Sequence, residues 1–142
     1  MTRPDPELLA AAHAVLIQAH APYSGLRVGA AVRSAAGEVY VGCNVENAAF
    51  PLGNCAEASA IAAGVAGEGQ GFRIAAVAVQ AEHADGTLQP VSPCGGCRQR
   101  IREFAVDGAI PVSFPWSDGA LKTLQLDELL PYSFELQVRP GR

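Results

Sequence analysis

Apolar positions recur at helical spacing near the start of the chain. Leu8, Leu9, Ala12, Val15, Leu16 and Ala19 fall three or four residues apart, one stripe of a 3.6-residue period. Asp5-Pro6 precedes them, a capping carboxylate followed by proline at the first helical position, and Pro22 ends the pattern. The spacing predicts a first helix that carries His13 and His20 as ordinary surface or satisfied histidines. After it the period shortens to two. Val28 to Val32 and Val39 to Cys43 read as strands, and Gly37 between them predicts an antiparallel hairpin.

Further on, Cys55 to Val65 is alanine-rich and helical, closing near Gly67. Ile74 to Val79 is a continuous apolar run, as expected of a strand buried on both faces. Cys94 to Ala105 predicts a third helix, Ile110 to Phe114 and Leu121 to Leu124 two more strands, and Leu126 to Pro131 a closing helical turn stopped by proline. Strands interleaved with helices predict an α/β fold, a three-layer α/β/α sandwich around a mixed five-stranded sheet. No repeat, low-complexity tract or linker divides the chain, so residues 1–142 read as one domain.

Composition narrows the function. Apolar residues make up 49% of the chain, which argues against disorder. The formal charge is −4 and no Lys/Arg cluster appears, so a nucleic-acid partner is not expected and a small substrate is. Met1-Thr2-Arg3-Pro4-Asp5 has no apolar signal core, and no run reaches membrane-spanning length. The expectation is a cytoplasmic protein with no membrane partner, whose thiols stay reduced. Of four cysteines, Cys43 lies in an apolar alternating stretch and reads as a small core residue.

The other three carry chemistry. Cys55-Ala56-Glu57 and Pro93-Cys94-Gly95-Gly96-Cys97 are both predicted to begin helices, where free N–H groups and the positive dipole end favour thiolates. Cys94 and Cys97, three apart, share one face of a first turn and can reach the same metal. Three cysteines leave a fourth position of a zinc ion for water, the layout of a catalytic site. Glu57 is placed to take that water's proton and pass it on as a general acid/base. Cys-x-Glu followed by Pro-Cys-x-x-Cys is the pattern of the zinc nucleobase deaminases, Cys₃ ligation being one of its variants.

From about Ala21 to Phe134 the chain resembles the short cytidine deaminases. The matching segments are Pro22-Tyr23-Ser24, Val28-Gly29-Ala30-Ala31, Gly42-Cys43-Asn44-Val45-Glu46-Asn47-Ala48, the two cysteine motifs with Arg98-Gln99, and Leu129-Leu130-Pro131. The resemblance implies zinc-dependent hydrolysis of cytidine and deoxycytidine, in pyrimidine salvage, by a homotetramer whose active sites are shared between subunits. It implies that Asn44 and Glu46 hold the ribose 3′-hydroxyl and that Ala56 contacts substrate. It also implies that Phe134 enters near the base of a neighbouring subunit.

Three positions depart from the family pattern. Leu26 stands where an aromatic is common, Phe50 where a tyrosine is common, and both remain candidate substrate contacts. Ala58 replaces the arginine that usually follows Cys-Ala-Glu, so the negative charge of three thiolates on zinc needs another partner. Arg98 and Arg33 are the candidates. Competing readings are an aminonucleoside-antibiotic (blasticidin S) deaminase, against which Asn44-Val45-Glu46-Asn47 argues, and a non-catalytic zinc-stabilised binding module, which would have no use for Glu57. A nucleic-acid-editing deaminase would need a phosphate-tracking surface that this acidic chain lacks.

Overall fold

The computed structural model describes residues 3–138. In chain order the elements are helix α1 (Pro6–Leu16), strands β1 (Leu26–Ser34) and β2 (Val39–Cys43), helix α2 (Ala56–Glu68), strand β3 (Ile74–His83), helix α3 (Gly95–Phe104), strands β4 (Pro111–Pro115) and β5 (Leu121–Gln125), and helix α4 (Leu126–Leu129). The five strands form one sheet in the order β2-β1-β3-β4-β5. Strand β1 runs antiparallel to both neighbours, β3 and β4 are parallel, and β4 and β5 are antiparallel. Two parallel strands need a crossover, and α3 provides it. The expected mixed five-stranded α/β fold is what the chain adopts.

Alternation along the central strands divides the interior into two layers. Ala31 of β1 and Ala76 and Ala78 of β3 face α1, where they meet Leu8 and Ala12. Ala30, Val32, Val77 and Val79 face the opposite way, onto Ala56, Ala60 and Ile61 of α2 and Ile101 of α3. Small residues let the helices approach the sheet closely. At Gly42 of β2 the approach is backbone to backbone: an added Cβ would stand 2.7 Å from the Ala56 carbonyl oxygen and closer still to the Ala60 nitrogen. Those atoms belong to the first turns of α2, so this contact sets where Cys55 and Glu57 stand.

Three expectations need correction. Helix α1 ends at Leu16, so His20 is not on it; His20 instead forms a β-bridge with Val45, its N–H donating to the Asn44 carbonyl at 3.0 Å. Strand β3 continues past Val79 to His83 because β1 pairs with it along its whole length, from Leu26 opposite His83 to Ser34 opposite Ile74. Polar Gln80 and Glu82 had hidden that extension from the apolar pattern. Arg33 is occupied at the start of α1: its Nε donates to Asp5 at 2.8 Å, and Nη2 lies 3.4 Å from Glu7. It makes no contact with the cysteines.

The same pair tightens the cap of α1. Asp5 accepts from the N–H groups of Glu7 and Leu8, and the Arg33 guanidinium holds its carboxyl below the ordinary value. A depressed carboxylate stabilises the fold above its unfolded pKa, and that contribution fades as pH falls through the folded value.

Gly42→Ala is expected to lower stability by about 1–3 kcal/mol, the usual cost of forcing extra atoms into a packed interior. Gly71 has nothing within 4 Å of where a Cβ would lie, so Gly71→Ala should stay within about 0.5 kcal/mol of wild type. Urea denaturation of both variants checks this, and equal midpoints would contradict the close approach.

Candidate active site

Cys55 and Cys94 occupy the N-cap positions of α2 and α3, and Cys97 lies in the first turn of α3. Because α2 and α3 pack side by side, their starts bring the three sulfurs within 4.8 Å of one another. All three are free thiols: Cys97 is buried, Cys55 half-buried and Cys94 exposed. Three soft donors at two helix N-termini suit zinc by the chemistry of the set. Among the described residues no fourth His, Cys, Asp or Glu joins the group. His83 is engaged with Gln89 at 2.7 Å.

Crowding and burial shift the acidic groups of the cluster. Burial pushes the Cys97 thiol well above its ordinary value, and the neighbouring Glu57, Cys55 and Cys94 push it further. Burial likewise raises Cys55. It opposes ionisation of Cys94 too, but there the N–H groups of Cys97 and Gly96 prevail and the value is lowered; the Cys97 N–H lies 3.4 Å from Cys94 Sγ. Glu57 is only 5% exposed, and burial lifts its carboxyl above the ordinary value despite its own backbone N–H, Arg100 and Cys97. Three thiols and one carboxyl thus crowd one space.

Arg98 does not supply that charge at a sulfur. Its guanidinium donates to the Pro93 carbonyl at 2.8 Å, the Leu129 carbonyl at 2.8 Å and the Ser92 hydroxyl at 3.2 Å, which ties α4 to the segment leading into Cys94. The guanidinium at a sulfur belongs to Arg100, whose Nη1 lies 3.6 Å from Cys97 Sγ. Sequence reasoning missed it, although the signal was present. Position 100 is three residues after a ligand on a helix, and long helical side chains lean toward the N-terminus.

Cys55, Ala56, Glu57 and Cys94 line a cavity of about 320 Å³ together with Val28, Asn44, Val45, Glu46, Phe50, Gly53, Asn54, Val91 and Ser92. Asn44 is held by β1: its Oδ1 accepts from the Val28 N–H at 2.8 Å and its Nδ2 donates to the Leu26 carbonyl at 2.9 Å. The Glu46 carboxylate accepts from the N–H groups of Tyr23 and Ser24 and from the Ser24 hydroxyl, which hold its carboxyl below the ordinary value. Both side chains are thereby fixed at the cavity rim. Leu26 offers Asn44 its carbonyl and is not part of the lining. Phe50 lines the cavity, 75% exposed, with its ring edge-on to Tyr23 at 5.9 Å. Phe134 lies outside this cavity, 68% exposed, with its carbonyl accepting from Gln99.

Residues 3–112 match the model of the cytidine and deoxycytidylate deaminase zinc-binding region. The chain is 40% identical over 117 residues to a cytidine deaminase of Sporosarcina psychrophila, which covers 82% of this chain and 81% of that one. It is 33% identical over 110 residues to a blasticidin-S deaminase of Bacillus cereus, covering 75% and 76%. A crystal structure of a cytidine deaminase from Burkholderia pseudomallei superposes with a TM-score of 0.78 and 37% identity, covering 93% of this chain and all of that one.

If the three sulfurs hold the metal together, Cys94→Ala should lose zinc, since two thiolates make an incomplete site. Cys43, on β2 outside the cluster, should be replaceable by alanine with zinc content unchanged. Metal analysis of the purified variants decides it, and full zinc in Cys94→Ala would overturn the assignment.

Proposed function

Since the chain belongs to the cytidine and deoxycytidylate deaminase family, we infer that it hydrolyses cytidine and deoxycytidine to uridine and deoxyuridine, releasing ammonia. The observation that carries this is a buried carboxylate, Glu57, facing one cavity together with Cys55 and Cys94 of a three-cysteine cluster. A structural zinc site has no need of such a group. Cys55, Cys94 and Cys97 would hold zinc, which when bound would supply Lewis acidity and lower the pKa of a water toward neutrality.

The protein's own part is proton movement and placement. Glu57 accepts the proton of the attacking water and delivers it to the ring nitrogen next to the amino-bearing carbon. The new carbon–oxygen bond forms at that carbon, and the carbon–nitrogen bond to the amine then breaks. Glu57 then takes the remaining proton of the new hydroxyl and passes it to the departing nitrogen, so the carbonyl forms as that bond breaks and water and cytidine become uridine and ammonia. A carboxyl raised by burial suits both halves of this exchange, since it gives up and takes back a proton more evenly than an exposed one.

Asn44 and Glu46 hold the sugar, each already oriented by its bonds to β1 and to the Tyr23–Ser24 segment. Ala56 and Phe50 complete the walls. The lining includes two carboxylates and no lysine or arginine, which favours a nucleoside over a phosphorylated nucleotide. The blasticidin reading has weaker support, with lower identity over a shorter match.

The whole chain acts as one domain, and the working assembly is a homotetramer with shared sites. Supporting this, Tyr132, Phe134, Leu136 and Val138 present a row of apolar side chains, each more than two-thirds exposed, as unpartnered interaction surfaces do. The place of action is the cytoplasm, in pyrimidine salvage. Reduced thiols suit that compartment, and no helix among the described residues is long and apolar enough to cross a membrane.

Glu57→Gln should keep fold and zinc while turnover falls by about two to four orders of magnitude, the usual weight of a general acid/base. Near-normal turnover in that variant would remove the role. A second test is selectivity. Like charges brought together cost several kcal/mol, so kcat/KM for cytidine 5′-phosphate should fall about a hundredfold or more below that for cytidine. Equal rates on the two would contradict a cavity built for the uncharged nucleoside.

A further inference from the structure

We propose that Arg100 balances the charge of the metal centre in this chain, where position 58 is an uncharged alanine, and thereby sets how firmly zinc is held. Three thiolates around a dication leave one negative charge in excess, and a fixed cation beside them stabilises the loaded site. The inference rests on the three-cysteine zinc reading given above.

Four observations point to Arg100. Its Nη1 lies 3.6 Å from Cys97 Sγ. It stands three residues beyond that ligand on α3, so its side chain leans back over the first turn, as long helical side chains do. Gly96, one turn before it, is bare: a Cβ there would stand 3.3 Å from Nη1 and 3.9 Å from Cys94 Sγ. The missing side chain leaves the guanidinium a seat beside both α3 ligands.

The fourth observation is that several other arginines are engaged elsewhere. Arg27, Arg33 and Arg102 are matched with Glu82, with Asp5 and Glu7, and with Glu135. Arg98 is spent on two carbonyls and a hydroxyl. Among the described residues no carboxylate is paired with Arg100, and its guanidinium is the one that hydrogen-bonds a cysteine sulfur.

Arg100 is a positioning residue for the sulfur rather than one that touches substrate. Removing such a partner of a metal ligand costs about 10- to 100-fold in metal affinity, less where solvent screens the charge. The guanidinium is reached from an exposed residue, so the lower end, about tenfold, is expected here.

The test is release of zinc from the full chain to an excess of chelator, followed with a zinc-sensitive dye. Arg100→Gln should release zinc about tenfold faster than wild type, and Arg100→Lys should recover most of the retention by restoring the charge. Arg102→Gln, which removes a cation paired elsewhere, should behave as wild type. In cobalt-substituted protein the sulfur-to-metal charge-transfer band should move to longer wavelength in Arg100→Gln, because an unscreened thiolate gives up electron density more easily. A residue that merely supported the fold would not move that band.

Equal release rates in wild type and Arg100→Gln, or an unmoved cobalt band, would overturn the role of Arg100 while leaving the metal site intact. A wild-type chain that binds no zinc would overturn the site reading and this inference together.

Discussion

Three sulfurs within 4.8 Å of one another, beside a carboxylate that is 5% exposed, cannot all carry charge unless a cation joins them. The rest of the structure serves this crowding. Burial raises Cys55, Cys97 and Glu57, while the Cys97 and Gly96 N–H groups lower Cys94. With a dication in place the same crowding becomes affinity, and the carboxylate left over is the group proposed to move protons. In that reading metal binding and proton transfer draw on one electrostatic arrangement.

The fold holds that arrangement with backbone rather than with long side chains. Two helices start at the site, and their N-termini lend partial positive charge to Cys55 and Cys94. Helix α2 is seated on β2 at Gly42 without an intervening side chain, so Cys55 and Glu57 inherit the rigidity of the sheet. Helix α3 is the crossover between β3 and β4, and Arg98 binds its entry segment to α4 through the Leu129 carbonyl. The groups proposed to hold the sugar follow the same rule. Asn44 and Glu46 sit just past β2 and spend hydrogen bonds on neighbouring backbone, so they meet a ligand already aligned.

Much of this was legible in the chain because the signals were local. Asp5-Pro6 marks the start of α1 by its capping chemistry. The cysteine motifs mark both helix starts and, through their combined pattern, the metal cluster; strands β1 to β4 have recognisable apolar runs, whereas β5 has only Leu121 and Leu124 among polar residues. What failed depended on tertiary partners. The length of β3 is set by its pairing with β1, which a run ending at Val79 does not reveal. His20 leaves the helical pattern to bridge Val45. Arg33 and Arg98 were misplaced because a guanidinium goes where acceptors are, and those acceptors, Asp5 for one and the Pro93 and Leu129 carbonyls for the other, are known only once the chain is folded. Arg100 could have been found from helical geometry, with a ligand three residues before it and a bare glycine four before.

The crowded cluster is proposed to be a working hydrolytic centre rather than a structural clip. The most direct test is the ultraviolet spectrum of cytidine incubated with purified protein carrying one zinc per chain, with ammonia assayed in parallel. The expected result is conversion to the uridine spectrum, one ammonia per cytidine consumed, and loss of that conversion when a chelator strips the metal. A fully zinc-loaded, folded protein that leaves cytidine unchanged would contradict it.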